Sequence, residues 1–144
     1  MTTIVGIAAI VLGLICWIGQ TLAVFNNGLA TKLGLSETEK EMDSTMLVFE
    51  RYSQGIMDVV LAWILPLAGF LMIIENKWWP VFALVGGGVY LYFPGQFIIT
   101  RIVLKKRGLK IGTRNGEITA YIFGILWTFI ALIMIALAVQ CVSL

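Results

Sequence analysis

The chain has 144 residues, of which 60% are hydrophobic and 12% are charged, whereas about a quarter of a soluble domain is charged. That composition excludes an ordinary water-soluble fold, and a net charge of +2, small and unevenly distributed, gives no support to a nucleic-acid partner. The absence of histidine removes haem, most zinc and iron sites and histidine-based acid–base chemistry, so no cofactor or metal is expected.

Residues 4–25 form the first apolar run, about 33 Å of helix at 1.5 Å per residue and long enough to cross a bilayer. This start lacks the basic n-region and small-residue cleavage site of a signal peptide, so the span is expected to be retained. Asn26-Asn27-Gly28 is a turn signal that ends it. Residues 26–54 are the one long polar segment. Ser36-Glu37-Thr38-Glu39 reads as a capping box, and Met42, Met46 and Phe49 follow at helical spacing, which predicts a short amphipathic helix at the interface that leads toward the second span.

The second span is expected over 55–74. It carries Asp58 near its start and Pro66 inside, where the missing donor should kink the helix around Ala62. Glu75-Asn76-Lys77 is a tight connection, which makes spans two and three antiparallel neighbours. The third span covers 78–99, with Trp78 and Trp79 at one interface and Pro94-Gly95 interrupting its last third; it should continue as helix to Arg107 and stop at Gly108. The fourth span covers 118–139. The fold class is therefore an all-α membrane protein, a single four-transmembrane-helix bundle with a short interfacial helix between helices 1 and 2.

Orientation follows from the cations. Arg101, Lys105, Lys106, Arg107, Lys110 and Arg114 lie in loop 100–117, and Lys32, Lys40 and Arg51 in segment 26–54, against Lys77 alone on the other side. The positive-inside rule places both loops in the cytoplasm and both termini outside, and a compact four-span chain suits a bacterial inner membrane. Lys105, Lys106, Arg107 and Lys110 are candidates for holding anionic lipid head groups, although topology alone demands such a run. Glu37, Glu39, Glu41, Asp43 and Glu50 share that side, so the acidic segment is expected to fold over the basic loop, within one subunit or between two.

Small residues recur seven apart in every span: Gly6 and Gly13; Gly55, Ala62 and Gly69; Gly88 and Gly95; Gly124, Ala131 and Ala138. In lipid, small side chains on one face let backbones approach closely, so these stripes should face inward. Gly86-Gly87-Gly88 suggests close packing against more than one neighbour, a hinge, or a ligand approaching the backbone.

Asp58 is the residue to single out, because an ionisable group inside a membrane helix is a functional-site hypothesis by default. With the boundary near Gly55 it sits about one turn inside, which is shallow, and Gln20, Gln96, Arg101 and Tyr121 fall at similar depth. The cluster reads either as a cytoplasm-facing ligand or ion site or as an interfacial pair with amides bonding helices together. Cys16 and Cys141 lie at different depths and form no redox or zinc motif. No nucleophile–base pair, phosphate loop or catalytic carboxylate pair is found, so no enzyme is expected. Size and span count resemble the small multidrug-resistance transporters, but those rest on a glutamate in the first span and this first span has no ionisable residue, so no function is carried over. The sequence favours a non-enzymatic accessory subunit or oligomeric scaffold, partnered by the bilayer, by copies of itself or by a larger membrane protein. The alternative is binding or transport of a lipid, ion or small apolar ligand at the Asp58 cluster.

Overall fold

A computed structural model describes residues 2–142. The chain forms α1 (Thr2–Phe25), α2 (Asn27–Lys32), α3 (Ser44–Val48), a π-helical turn (Phe49–Gln54), α4 (Gly55–Leu61), α5 (Ile64–Ile73), α6 (Trp79–Lys106) and α7 (Arg114–Val142). Four helical stretches are long and apolar enough to cross a membrane: Thr2–Phe25, Ser44–Ile73, Trp79–Lys106 and Arg114–Val142. The one between the first and third is built from α3, the π turn, α4 and α5 in line. α1 packs on α4 and α5, α5 on α6 and α6 on α7, while α1 and α7 touch more sparingly to close the ring.

The second span starts earlier than the sequence suggests. Ser36–Glu39 does not cap a helix; residues 37–43 are non-helical, with a turn over 39–41, and the cap is Asp43, whose carboxylate accepts from Thr45 N–H at 2.9 Å. From Ser44 the helix runs to Ile73, 30 residues in all, so the stretch with Met46 and Phe49 is helical and runs straight into the span as its leading turns. α1 ends at Phe25, before the turn signal as expected, and a short helix restarts directly after it, because the Asn26 side chain caps α2 by accepting from Leu29 N–H at 3.1 Å. α6 ends at Lys106 and Gly108 takes φ +79°, the left-handed stop expected there. Pro94 does not interrupt α6, which remains helical through it.

Pro66 kinks the second span as its chemistry requires. Lacking an N–H, it leaves the Ala62 carbonyl without a helical donor, and the helix breaks between α4 and α5 at Ala62-Trp63. Side chains replace the lost backbone donors. The Tyr90 hydroxyl lies 2.9 Å from the Ala62 oxygen and 3.2 Å from that of Gly13, sharing one proton between them. Trp17 Nε1–H donates to Val59 O at 2.9 Å, and Trp63 Nε1–H to Val60 O at 2.7 Å. In an apolar surrounding an unpaired carbonyl costs several kcal/mol, so these bonds are conditions for the kink.

Small residues set how closely the helices approach on the side toward Trp78. A Cβ at Gly69 would lie 2.5 Å from Gly6 O, one at Gly13 would lie 2.5 Å from Pro66 Cδ, and one at Gly86 would lie 2.9 Å from Leu65 N. Gly87 meets the Ile135 side chain in the same way, and nearer the Arg101 end Gly124 meets Ile98. Gly88 and Gly95 have nothing within 4 Å, so that stripe does not face inward. The inward face of α6 is Ala83, Gly86, Gly87, Tyr90, Pro94 and Arg101. It is turned about one residue, or 100°, from the expected stripe.

Candidate functional site

Toward the end of the bundle that carries Arg101–Arg114, hereafter the basic end, the helices part and enclose a cavity of about 640 Å³. α1 contributes Cys16, Gly19 and Gln20; the second span contributes Glu50, Arg51, Gln54 and Asp58; α6 contributes Tyr90, Phe93, Phe97 and Arg101; α7 contributes Thr119, Phe123 and Trp127.

Its floor is stitched shut by aromatic donors. Trp127 Nε1–H donates to Leu12 O at 2.9 Å, next to the carbonyl of Gly13 that Tyr90 reaches, so α7 and α6 both bond the backbone of α1 at one level. The two rings meet edge to face with centroids 6.5 Å apart. Above this layer there is open volume; below it the helices are in contact.

Its roof is the meeting of two loops. Met42 and Ile111 form an isolated antiparallel bridge, with Asp43 N–H donating to Lys110 O at 2.9 Å and Gly112 N–H to Glu41 O at 3.1 Å. Glu37 accepts from the Thr113 hydroxyl at 2.8 Å and from its N–H at 3.1 Å, and the Thr113 hydroxyl accepts from Gly116 N–H at the start of α7. The acidic segment thus folds over the basic loop within one chain, through backbone bonds, one glutamate and the Lys110 ammonium on Lys40 O rather than through an array of charge pairs. Two ion pairs are present among the described residues, Arg101–Glu50 and Lys105–Glu117, each at 2.6 Å.

Asp58 lies on the cavity wall, 4% exposed, beside Cys16 and Tyr90. Its carboxylate has no hydrogen bond or ion pair among the described residues, while its backbone oxygen accepts from Ala62 N–H at 2.7 Å. Because the second span begins at Ser44, Asp58 sits midway along a 30-residue helix, not one turn inside its end as the sequence implies. Arg101, also 4% exposed, is taken by other partners: Glu50 on one side and the Ile111 carbonyl at 2.7 Å on the other, with its guanidinium 4.5 Å from the Phe97 ring centroid. An Asp58–Arg101 pair therefore does not form. Gln54, 6% exposed, donates from Nε2 to Phe93 O at 3.1 Å and leaves Oε1 unpartnered.

Of the residues expected around Asp58, Gln20 and Arg101 line the cavity. Gln96 lies on a shallow depression outside it with Phe49, Ser53 and Met57, and Tyr121 faces Glu117; each is about one residue off the inward face of its helix. Lys106, Arg107 and Lys110 are exposed at the basic end, Lys110 donating to Lys40 O at 3.2 Å, while Lys105 is paired with Glu117. Glu50 and Gln54 are among the cavity residues that sequence reasoning missed. Their signal was present as Glu50, Gln54 and Asp58, four apart and hence on one helical face, with a π turn of the kind often found at functional sites. Cys16 and Cys141 are free thiols, and among the described residues no group of three or more Cys, Asp or Glu is placed to hold a metal. No family model, no curated protein and no solved structure matches the chain.

Proposed function

We propose that this is an integral membrane protein that binds a small amphiphilic ligand in the cavity at its basic end, with the buried polar face of the second span as the recognition surface. The observation that carries this reading is a cavity of about 640 Å³ whose wall holds a buried carboxylate without a partner. That volume is in the roughly 300–1,000 Å³ range of small-molecule sites, and the mix of aromatic walls with a few polar groups is their usual lining. A carboxylate kept unpaired midway along a membrane helix costs several kcal/mol when charged, and in such proteins marks a ligand or ion pathway. With the basic end on the cytoplasmic side by the positive-inside rule, the site lies in the cytoplasmic half under its roof, and the exposed Lys106 and Arg107 beside it suit anionic head groups.

Native mass spectrometry of the protein extracted in mild detergent tests the reading. Gly19 lines the cavity, and a Cβ there meets nothing within 4 Å, so Gly19→Leu fills the space without disturbing a helix contact. The expected result is a small molecule retained by the wild type and lost from Gly19→Leu. Release together with a larger protein at fixed stoichiometry, with no small molecule, would favour the accessory-subunit reading instead.

A further inference from the structure

The chemistry of the wall narrows the ligand. Four acids, Glu37, Glu41, Glu50 and Asp58, line the cavity against two arginines, Arg51 and Arg101. Arg101 is bound to Glu50 and to the Ile111 carbonyl. Arg51 lies with its guanidinium 5.0 Å from the Tyr52 ring centroid. Neither cation answers Asp58, so the uncompensated charge at the deep end is negative.

The other free group near it has the same preference. Gln54 is one turn from Asp58 on the same helix, its amide nitrogen is engaged, and its amide oxygen is without a donor. The unpartnered donors, Nε of Arg51 and Nε of Arg101, belong to side chains nearer the basic end; Arg51 is two helical turns from Asp58. A ligand that satisfies both levels therefore brings positive charge or N–H groups to the deep end and any acceptor to the mouth. The deep end is aromatic too, with Tyr90, Phe93 and Trp127 on the wall, and ring faces attract cations where water is excluded.

We infer that the ligand is an organic cation with an aromatic or other apolar body, seated between the rings with its charge against Asp58. This rests on the cavity being a ligand site, and the test separates the two claims. Asp58 neutralises the cation directly, Gln54 Oε1 accepts from it or its hydration, and the aromatic floor sets how deep the body enters.

Tetraphenylphosphonium and tetraphenylborate have nearly the same size and shape and opposite charge. Equilibrium binding of each is measured by titration calorimetry on the full chain in neutral detergent micelles. Saturable binding of the phosphonium without comparable binding of the borate is expected, with a loss of more than about tenfold in affinity in Asp58→Asn and abolition in Gly19→Leu. The thermal midpoint of each variant shows that it remains folded. Equal or preferred binding of the borate, or undiminished phosphonium binding by folded Asp58→Asn, overturns the assignment. If neither ion binds while Gly19→Leu still expels a molecule retained by the wild type, the cavity reading stands and the cation assignment falls. If folded Gly19→Leu keeps every bound molecule, the cavity reading itself falls.

Discussion

The two halves of the bundle solve the same packing problem in opposite ways. Toward Trp78 the helices meet backbone to backbone through Gly6 and Gly69, Gly13 and Pro66, and Gly86 and Leu65, leaving no room for side chains to compete. Toward Arg101 the same helices carry Gln20, Gln54, Asp58 and Phe97 on their facing surfaces and stand apart around a void. The boundary is the Tyr90–Trp127 layer, anchored to the carbonyls of Leu12, Gly13 and Ala62. In lipid, helix association is driven by close van der Waals contact and not by exclusion of water. The half with small residues therefore holds the bundle together, and the half with large polar residues is free to be a site.

The largest expected effect comes from the polar half, where charge is buried. Arg101→Leu leaves Glu50 in the wall without its cation, which should cost about 3–5 kcal/mol, while Arg101→Leu combined with Glu50→Leu should recover most of that loss, because removing both charges also removes the desolvation penalty. Thermal or denaturant unfolding in a fixed detergent measures both. If the double variant is as unstable as the single one, the pair is not what Arg101 contributes.

The packed half should break through volume. Gly69→Val forces a side chain against Gly6 O and Ala9 Cβ, at 2.5 and 3.0 Å for the Cβ alone. Overpacking of this kind costs about 1–3 kcal/mol. Gly88→Val, with nothing within 4 Å, should change stability by less than about 0.5 kcal/mol. Equal losses at the two positions would mean that glycine serves helix flexibility here and not contact.

That contrast also shows how far the sequence could be read. Long apolar runs announce spans because hydropathy sums over a window, and the four runs became four helices with ends displaced by a few residues, except at Ser44. There the polar stretch Glu50-Arg51-Tyr52-Ser53-Gln54 looks like loop by composition, yet it is helix, with Glu50, Arg51 and Gln54 on the cavity wall and Tyr52 and Ser53 on the outer surface. Window averages do not distinguish those two destinations. The error moved the start of the helix relative to Asp58, which stands midway along it and not one turn from its end. Periodicity had a matching weakness at Gly86-Gly87-Gly88. Three adjacent glycines point in three directions, so spacing to Gly95 selects a face as readily as spacing to Ala83 or Tyr90, and only the neighbouring helices decide. Pro66 was legible because a missing N–H acts locally; which side chain would repair the Ala62 carbonyl was not, since Tyr90 is 28 residues away from it.

The layer between the halves should show a smaller, coupled effect. Tyr90→Phe removes the hydroxyl that serves Ala62 O and should cost about 1 kcal/mol, the scale of interhelical hydrogen bonds in membranes. In a Pro66→Ala background residue 66 regains an N–H for the same carbonyl, so the Tyr90→Phe cost should shrink. A double-mutant cycle on unfolding midpoints measures the coupling. Equal costs in the two backgrounds would show that the hydroxyl serves Gly13 O alone.

The smallest effect on stability belongs to the roof, and there the useful readout is access. Glu37 bonds Thr113 from outside the span region, so Glu37→Ala should lower global stability by less than about 1 kcal/mol. The roof itself is held by few bonds: the Met42–Ile111 bridge, its flanking backbone pairs, the Lys110 ammonium on Lys40 O and this glutamate. Losing about 1 kcal/mol from the closed arrangement raises the open fraction about fivefold. Cys16 lines the cavity beneath and is buried, whereas Cys141 is exposed. In a Cys141→Ser background the rate of Cys16 modification by N-ethylmaleimide therefore reports roof opening, and Glu37→Ala should accelerate it about fivefold while the unfolding midpoint hardly moves. An unchanged rate would show that reagent enters between the helices rather than under the roof. The open side of the site would then be the gap between α1 and α7, where the ring of helices is closed least tightly.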